Sequence, residues 1–254
     1  RKIKNILAWK HNLNEVYNYS FVGEEQLKKL NIDFFKHLRL ANPSSDNHTL
    51  LRQSLIPNLV SNVKNNQARL GQFGFFEFGS VFFNAPGNLK KEAVGDSVIP
   101  YQENHLGLIL AGENNDLLSD LKGIIDNLLK NLLSYLTEVM FLETDDMPGW
   151  ADKNLAAKIS IFGEEIGLVA ALSLESINNL NLKKRVFVAE INFKKLNEII
   201  LENNSFKFQE LAKYPPVSRD LAFVLDEKIL YNEIKEEIIN FNPLLRKLEL
   251  FDVY

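Results

Sequence analysis

The chain of 254 residues contains no cysteine. Disulfides and thiolate metal sites are therefore excluded, and a reducing compartment is the expectation. No run of about 18 apolar residues occurs, so nothing reads as a membrane-spanning helix. The four histidines, His11, His37, His48 and His105, share no metal-ligand spacing. No glycine-rich phosphate loop is present: Gly71, Gly74 and Gly79 are not spaced for one, and no Lys-Ser/Thr pair follows. A Gly-x-Ser-x-Gly elbow is also missing. Positive charge is short, with 29 Lys and Arg against 33 Asp and Glu, which argues against indiscriminate binding to phosphates. Asp145-Asp146 reads as a solvated pair, because a hard cation wants more oxygen ligands than two neighbours supply. No metal is expected. The first residue is Arg, so the chain is expected to be a piece of a longer protein, and no signal peptide is visible.

What is abundant is phenylalanine, 18 in all. The stretch Phe73-Gly-Phe-Phe-Glu-Phe-Gly-Ser-Val-Phe-Phe83 concentrates it. A strand points successive side chains to opposite faces, so Phe76, Phe78 and Phe82 line one face and Phe73, Phe75, Val81 and Phe83 the other. That pattern predicts a central strand covered on both sides. Glu77 stands among these aromatics and needs a partner if buried.

Around this strand the periodicity predicts helices over 1–11, 23–30, 56–66, 116–133, 174–180, 193–201 and 231–240. Strands are expected over 16–21, 38–41, 105–111, 139–142, 157–162, 165–170, 185–191, 220–225 and 247–254, with 50–54 extended. Asn84 to Gln102 reads as a loop or loose hairpin, and Glu143 to Asn154 as a loop. Asn203-Asn204-Ser205 is the linker candidate, dividing the chain into domains at 1–202 and 206–254. Consecutive, antiparallel-looking strands with helices between them predict an α+β fold with a large sheet. From its residues alone this is a soluble module without catalytic chemistry.

Leu40-Ala-Asn-Pro43, followed by Leu51-Arg-Gln-Ser-Leu-Ile-Pro57, is similar to a "LANP…LRTSLLPGLL" segment. Phe76-Glu-Phe-Gly-Ser-Val-Phe82 resembles "FEIGRVF", and Lys213-Tyr-Pro-Pro-Val-Ser-Arg-Asp-Leu-Ala-Phe223 with Leu250-Phe-Asp-Val-Tyr254 resembles "KFPAVRRDLAF…LFDVY". Leu182-Lys-Lys-Arg-Val-Phe187 adds a weaker match. In this order the segments resemble the C-terminal half of the β subunit of bacterial phenylalanyl-tRNA synthetase. There are departures: Ser80 replaces the usual Arg, only Met147-Pro148-Gly149 remains of an "HPGRSA" loop, and Ser173-Leu174-Glu175 stands where His-Pro is usual.

The resemblance implies a catalytic-like domain with the class II synthetase fold, an antiparallel sheet with flanking helices. Part of a ferredoxin-like split βαβ anticodon-binding domain is expected to follow. In that topology strands 220–225 and 247–254 do not pair, because a third strand lies between them. The first domain is expected to do no chemistry. Adenylation needs cations on the ATP phosphates, and apolar Phe83 stands where class II enzymes place an Arg. A Gly-rich strand and helix ending in Arg is also absent. Arg52 is expected in a structural ion pair with Glu77. The implied function is a non-catalytic scaffold for a catalytic α subunit, with an apolar surface for that chain. It would contribute to tRNA(Phe) binding through Lys213, Tyr214 and Arg219, and bind no cofactor itself. ATP and Mg would serve the cytoplasmic holoenzyme, a heterotetramer of two α and two β chains. A synthetase-like paralogue with a regulatory or amino-acid-sensing role is the alternative.

Overall fold

The computed structural model describes residues 1–87, 99–114, 116–133, 138–203, 215–226, 229, 231–242, 244–245, 248–250 and 252. The chain divides into two compact units, Arg1–Phe206 and Lys207–Tyr254.

The first unit opens with helix α1 (Lys2–Asn5), which runs into a π-helical turn at Ile6–Lys10. Strands β1 (Asn14–Glu15) and β2 (Phe21–Val22) follow, then α2 (Glu24–Lys29), β3 (Leu50–Leu51) and α3 (Ile56–Asn66). Next come β4 (Phe73–Pro86), β5 (Pro100–Gly112), α4 (Leu117–Leu132), β6 (Val139–Leu142), β7 (Ala151–Ile161) and β8 (Glu164–Leu172). Helix α5 (Leu174–Leu180), β9 (Arg185–Asn192) and α6 (Phe193–Asn203) complete it. The large sheet has the order β1-β4-β5-β9-β8-β7-β6. All its pairings are antiparallel except β1 with β4, which is parallel. Strands β2 and β3 form a separate small ribbon.

Helices cover both faces of the sheet, which explains why β4, β5 and β9 are apolar on both sides. One face carries Phe76, Leu106, Leu108, Phe187 and Ile191 against Leu121, Ile125, Leu128 and Leu129 of α4 and Leu196 of α6. The other carries Phe75, Val81, Ile109 and Val188 against Leu59, Val60 and Val63 of α3. In α4 the buried positions recur at helical spacing, and α3 begins with Pro57 in its first turn, where a missing N–H costs nothing.

In the first unit the sequence reading needs correcting in five places. Strand β4 is not central: it lies second from one edge, and β9 occupies the middle. Its burial comes from helices on both faces, which a pattern of one strand cannot distinguish from centrality. Of 16–21 only the ends pair, Val16 donating its N–H to the Phe76 carbonyl just after β1 and Phe21 lying in β2, while between them Asn18 reaches Glu77. Within 38–41 a single bridge forms, Arg39 to Leu50. At the ends of the loop or loose hairpin read at 84–102 the β4–β5 ladder continues out to Pro86 opposite Pro100, so those ends are strand, and 88–98 lie outside the described residues. The loop at 143–154 ends early, since buried Trp150 anchors its end and β7 starts at Ala151.

The second unit contains helix α7 (Tyr231–Phe241). Among its described residues 220–225 forms no ladder with 248–250 or 252, and neither segment is a strand. The strands expected at 220–225 and 247–254 are therefore not formed among the described residues, since strand geometry is held by pairing.

Candidate functional site

Among the described residues, buried charge concentrates on the α3 face of the sheet. Glu77 of β4 and Glu190 of β9 both stand opposite Gly107 of β5, so two carboxylates share a row with a glycine between them. That glycine lets α3 approach: a Cβ there would lie 2.6 Å from Leu59 Cδ1. Arg52, from the segment entering α3, donates from Nη1 to Glu77 Oε1 at 2.7 Å, and both side chains are 3% exposed. Its Nε donates to the Ser80 carbonyl at 2.9 Å. The guanidinium lies over Gly79, where a Cβ would meet Nη2 at 2.3 Å. Glu77 also accepts the Asn18 side-chain amide at 2.7 Å and its backbone N–H at 3.3 Å.

Glu190 accepts the Leu55 N–H at 2.9 Å and the Ser54 hydroxyl at 2.5 Å. His105 Nδ1 lies 2.9 Å from the same carboxylate, and its Nε2 lies 3.5 Å from Glu103. Burial opposes protonation of His105, but the Glu190 and Glu103 carboxylates outweigh it and raise its pKa. Burial likewise pushes Glu103 up, and the Tyr101 hydroxyl, the Asn192 amide and His105 outweigh it, so its pKa falls below the ordinary carboxylate value. Lys194 donates to Tyr101 Oη at 2.8 Å and sits 5.3 Å from the ring centroid. Phe83 stands opposite that Tyr101, ring centroids 6.2 Å apart.

Beside this network is a cavity of about 230 Å³. Leu27, Ile32, Trp150 and Leu168 wall it, and Arg52, Ser54 and Glu190 reach its lining. Arg52 is the permanent cation of that lining, and Glu77 already holds it. An apolar hollow with its charges mutually satisfied can take a small uncharged group. It offers no free cation to a phosphate.

Of the residues singled out in the sequence, Arg52 and Glu77 are brought together. Arg219 is exposed and donates from Nη1 to the neighbouring Ser218 carbonyl at 3.0 Å. Lys213 and Tyr214 lie outside the described residues. Sequence reasoning missed Glu190, His105, Ser54 and Asn18. Glu190 carried the same signal as Glu77, a carboxylate inside an apolar strand, Val-Phe-Val-Ala-Glu-Ile. Nothing local marks Ser54 or Asn18.

This architecture is that of the class II aminoacyl-tRNA synthetases. A pyrrolysyl-tRNA synthetase from Desulfitobacterium hafniense superposes with a TM-score of 0.62, covering 80% of this chain and 67% of that one at 14% identity. At that identity the likeness concerns the fold alone. Sequence is more specific: residues 1–193 match the model of the phenylalanyl tRNA synthetase beta chain CLM domain, and residues 212–254 that of the ferredoxin-fold anticodon binding domain. The chain belongs to the phenylalanyl-tRNA synthetase beta chain family. It is 29% identical over its whole length to the phenylalanine–tRNA ligase beta subunit of Oceanobacillus iheyensis, covering 31% of that protein. Against the corresponding subunit of Fusobacterium nucleatum it is 30% identical over 95% of its length, covering 30% of that protein. The chain thus spans about a third of the length of the curated relatives it matches. Among the described residues no helix is long and apolar enough to cross a membrane.

Proposed function

We propose that this chain is a non-catalytic part of a phenylalanine–tRNA ligase β subunit. It scaffolds a catalytic α subunit and contributes to tRNA(Phe) binding during ATP-dependent aminoacylation, within a cytoplasmic heterotetramer of two α and two β chains. The observation that carries this is the state of the sheet-face site. Its permanent cation, Arg52, is locked to Glu77 at 2.7 Å, and aromatic Phe83 and Tyr101 face each other along the strand pair. These residues do not fit an ATP–Mg complex, which needs cations or oxygen ligands free to meet it. ATP and Mg therefore belong to the α subunit's site in this reading. Residues 1–202 are the pseudo-catalytic domain and 206–254 the anticodon-binding part. In this reading Lys213, Tyr214 and Arg219 are the residues that meet the RNA, since bases stack on tyrosine rings and guanidinium planes.

The test uses the full-length chain with and without its cognate α subunit. Amino-acid-dependent ATP–pyrophosphate exchange is expected only with α present, and light scattering should show a complex containing both chains. The Arg219→Ala variant of that complex should bind tRNA(Phe) more weakly. Exchange by the β-type chain alone, or failure to associate with α at micromolar concentration, refutes the reading. The alternative is a synthetase-like paralogue with a regulatory or amino-acid-sensing role, whose amino acid would have to bring both its charges into the cavity of about 230 Å³, where Arg52 is already paired. Saturable phenylalanine binding without any association with α would support that instead.

A further inference from the structure

Glu190 serves two structures at once. Its Oε1 accepts the Leu55 N–H and also meets His105 Nδ1, each at 2.9 Å. Its Oε2 accepts the Ser54 hydroxyl, and Ser54 Oγ in turn accepts the Ile56 N–H at 3.1 Å. Leu55 is the N-cap residue of α3 and makes no side-chain cap. A carboxylate on β9 therefore satisfies donors that the first turn of α3 leaves open, and its charge suits that end of the helix. The helix so held carries Ile56, Leu59, Val60 and Val63 into the core.

The other ring nitrogen of His105, Nε2, is buried and makes no hydrogen bond among the described residues. It lies 3.5 Å from Glu103 Oε2. With Nδ1–H given to Glu190, a neutral ring turns a lone pair toward the Glu103 carboxylate, whereas an imidazolium turns an N–H toward it. The charged groups around the ring are Glu103 on its own strand, Glu190 on β9, and Arg52, whose guanidinium lies over Gly79, the residue opposite His105. Arg52 is committed to Glu77. The Asn192 amide and the Tyr101 hydroxyl bind Glu103, and Lys194 on α6 binds that hydroxyl. Without a charged His105, buried Glu190 and partly buried Glu103 are two carboxylates with no cation between them, an arrangement that removal from water disfavours.

We propose that His105 is a proton-operated latch on the start of α3. As an imidazolium it bridges Glu103 and Glu190 and keeps Glu190 on Ser54 and Leu55. When it loses the proton, the Arg52–Ile56 segment opens more readily. The pKa of His105 is raised, because the two carboxylates outweigh the opposing effect of burial. A raised pKa in the folded state means that the stabilisation is complete below the unfolded histidine value. It is lost as pH rises through the folded value. The window therefore opens at the ordinary histidine value and extends upward from it.

Hydrogen–deuterium exchange of the full-length protein, read by mass spectrometry from about pD 5.5 to about pD 9 and corrected for intrinsic rates, tests the latch. Protection at Leu55 and Ile56 should fall with rising pD. The fall should reach about tenfold for each unit by which the folded pKa exceeds the unfolded one. The His105→Gln variant should show low protection and a flat profile. The Glu103→Gln variant, which removes one carboxylate but keeps a polar group, should move the fall to lower pD. If His105→Gln does not fold, Glu103→Gln alone decides. A flat profile in the native protein, the same fall in His105→Gln, or an unmoved midpoint in Glu103→Gln overturns the latch.

Discussion

Replacing Glu77 by Leu should be among the most damaging single changes in the first unit. Its carboxylate receives Arg52 at 2.7 Å and the Asn18 amide at 2.7 Å. Removing it strands a guanidinium that is 3% exposed, with the Ser80 carbonyl as its remaining named acceptor. Breaking a buried pair from one side costs about 3–5 kcal/mol, because the remaining charge stays desolvated. Domains are stable by only about 5–15 kcal/mol, so the loss is a large share of the whole. Urea unfolding can be followed by Trp150, which is 3% exposed, while Trp9 at 87% adds a nearly constant signal. With a slope of about 3 kcal/mol/M the midpoint should fall by about 1 M or more, at unchanged slope. The decisive comparison is the double variant Arg52→Met with Glu77→Leu, which removes both charges and keeps apolar volume. It should recover most of the loss, since the intact pair contributes little net stability. A single-variant cost below about 1 kcal/mol, the range of exposed pairs, would refute the reasoning. So would strict additivity of the two single changes.

Three further outcomes follow from the packing. The Gly107→Ala variant should lose about 1–3 kcal/mol in the same urea experiment, because its new methyl would sit 2.6 Å from Leu59 Cδ1 and 3.1 Å from Leu55 Cβ. Phe76→Ala should lose about 3–5 kcal/mol, since the ring is fully buried between β5 and the helices of that face. Ser173 caps α5 by accepting the Ser176 N–H at 3.2 Å, so Ser173→Ala should cost about 0.5–2 kcal/mol and Ser173→Asp should retain most of the cap. Thermal or urea midpoints indistinguishable from the native protein would contradict each of these.

The elements that were legible in the sequence are those whose cause is local. Helix 56–66, strand 139–142 and helix 174–180 appear as read, because side-chain periodicity and a proline or serine at the first turn belong to the segment itself. The two-sided burial of Phe73 to Phe83 was legible for the same reason. Its place in the sheet was not: an apolar strand one step from the edge and a central one carry the same pattern when helices cover both faces. The short pieces at 14–15, 21–22 and 50–51 escaped definition because pairs this brief depend on their partners more than on propensity. At the candidate site the sequence announced that Glu77 and Arg52 needed partners, since a buried charge without one is too costly to persist. Which further groups answered was decided by register. Strand pairing sets Glu77 and Glu190 on either side of Gly107, and it brings Leu55 within 2.9 Å of a carboxylate 135 positions away. Hydrogen-bonded alignment of three strands is a property of the folded sheet. No composition or spacing along one strand contains it: the pairing of Arg52 with Glu77 was expected from the sequence, while Asn18 on Glu77 and the set of Ser54, Leu55 and His105 on Glu190 belonged to the tertiary structure.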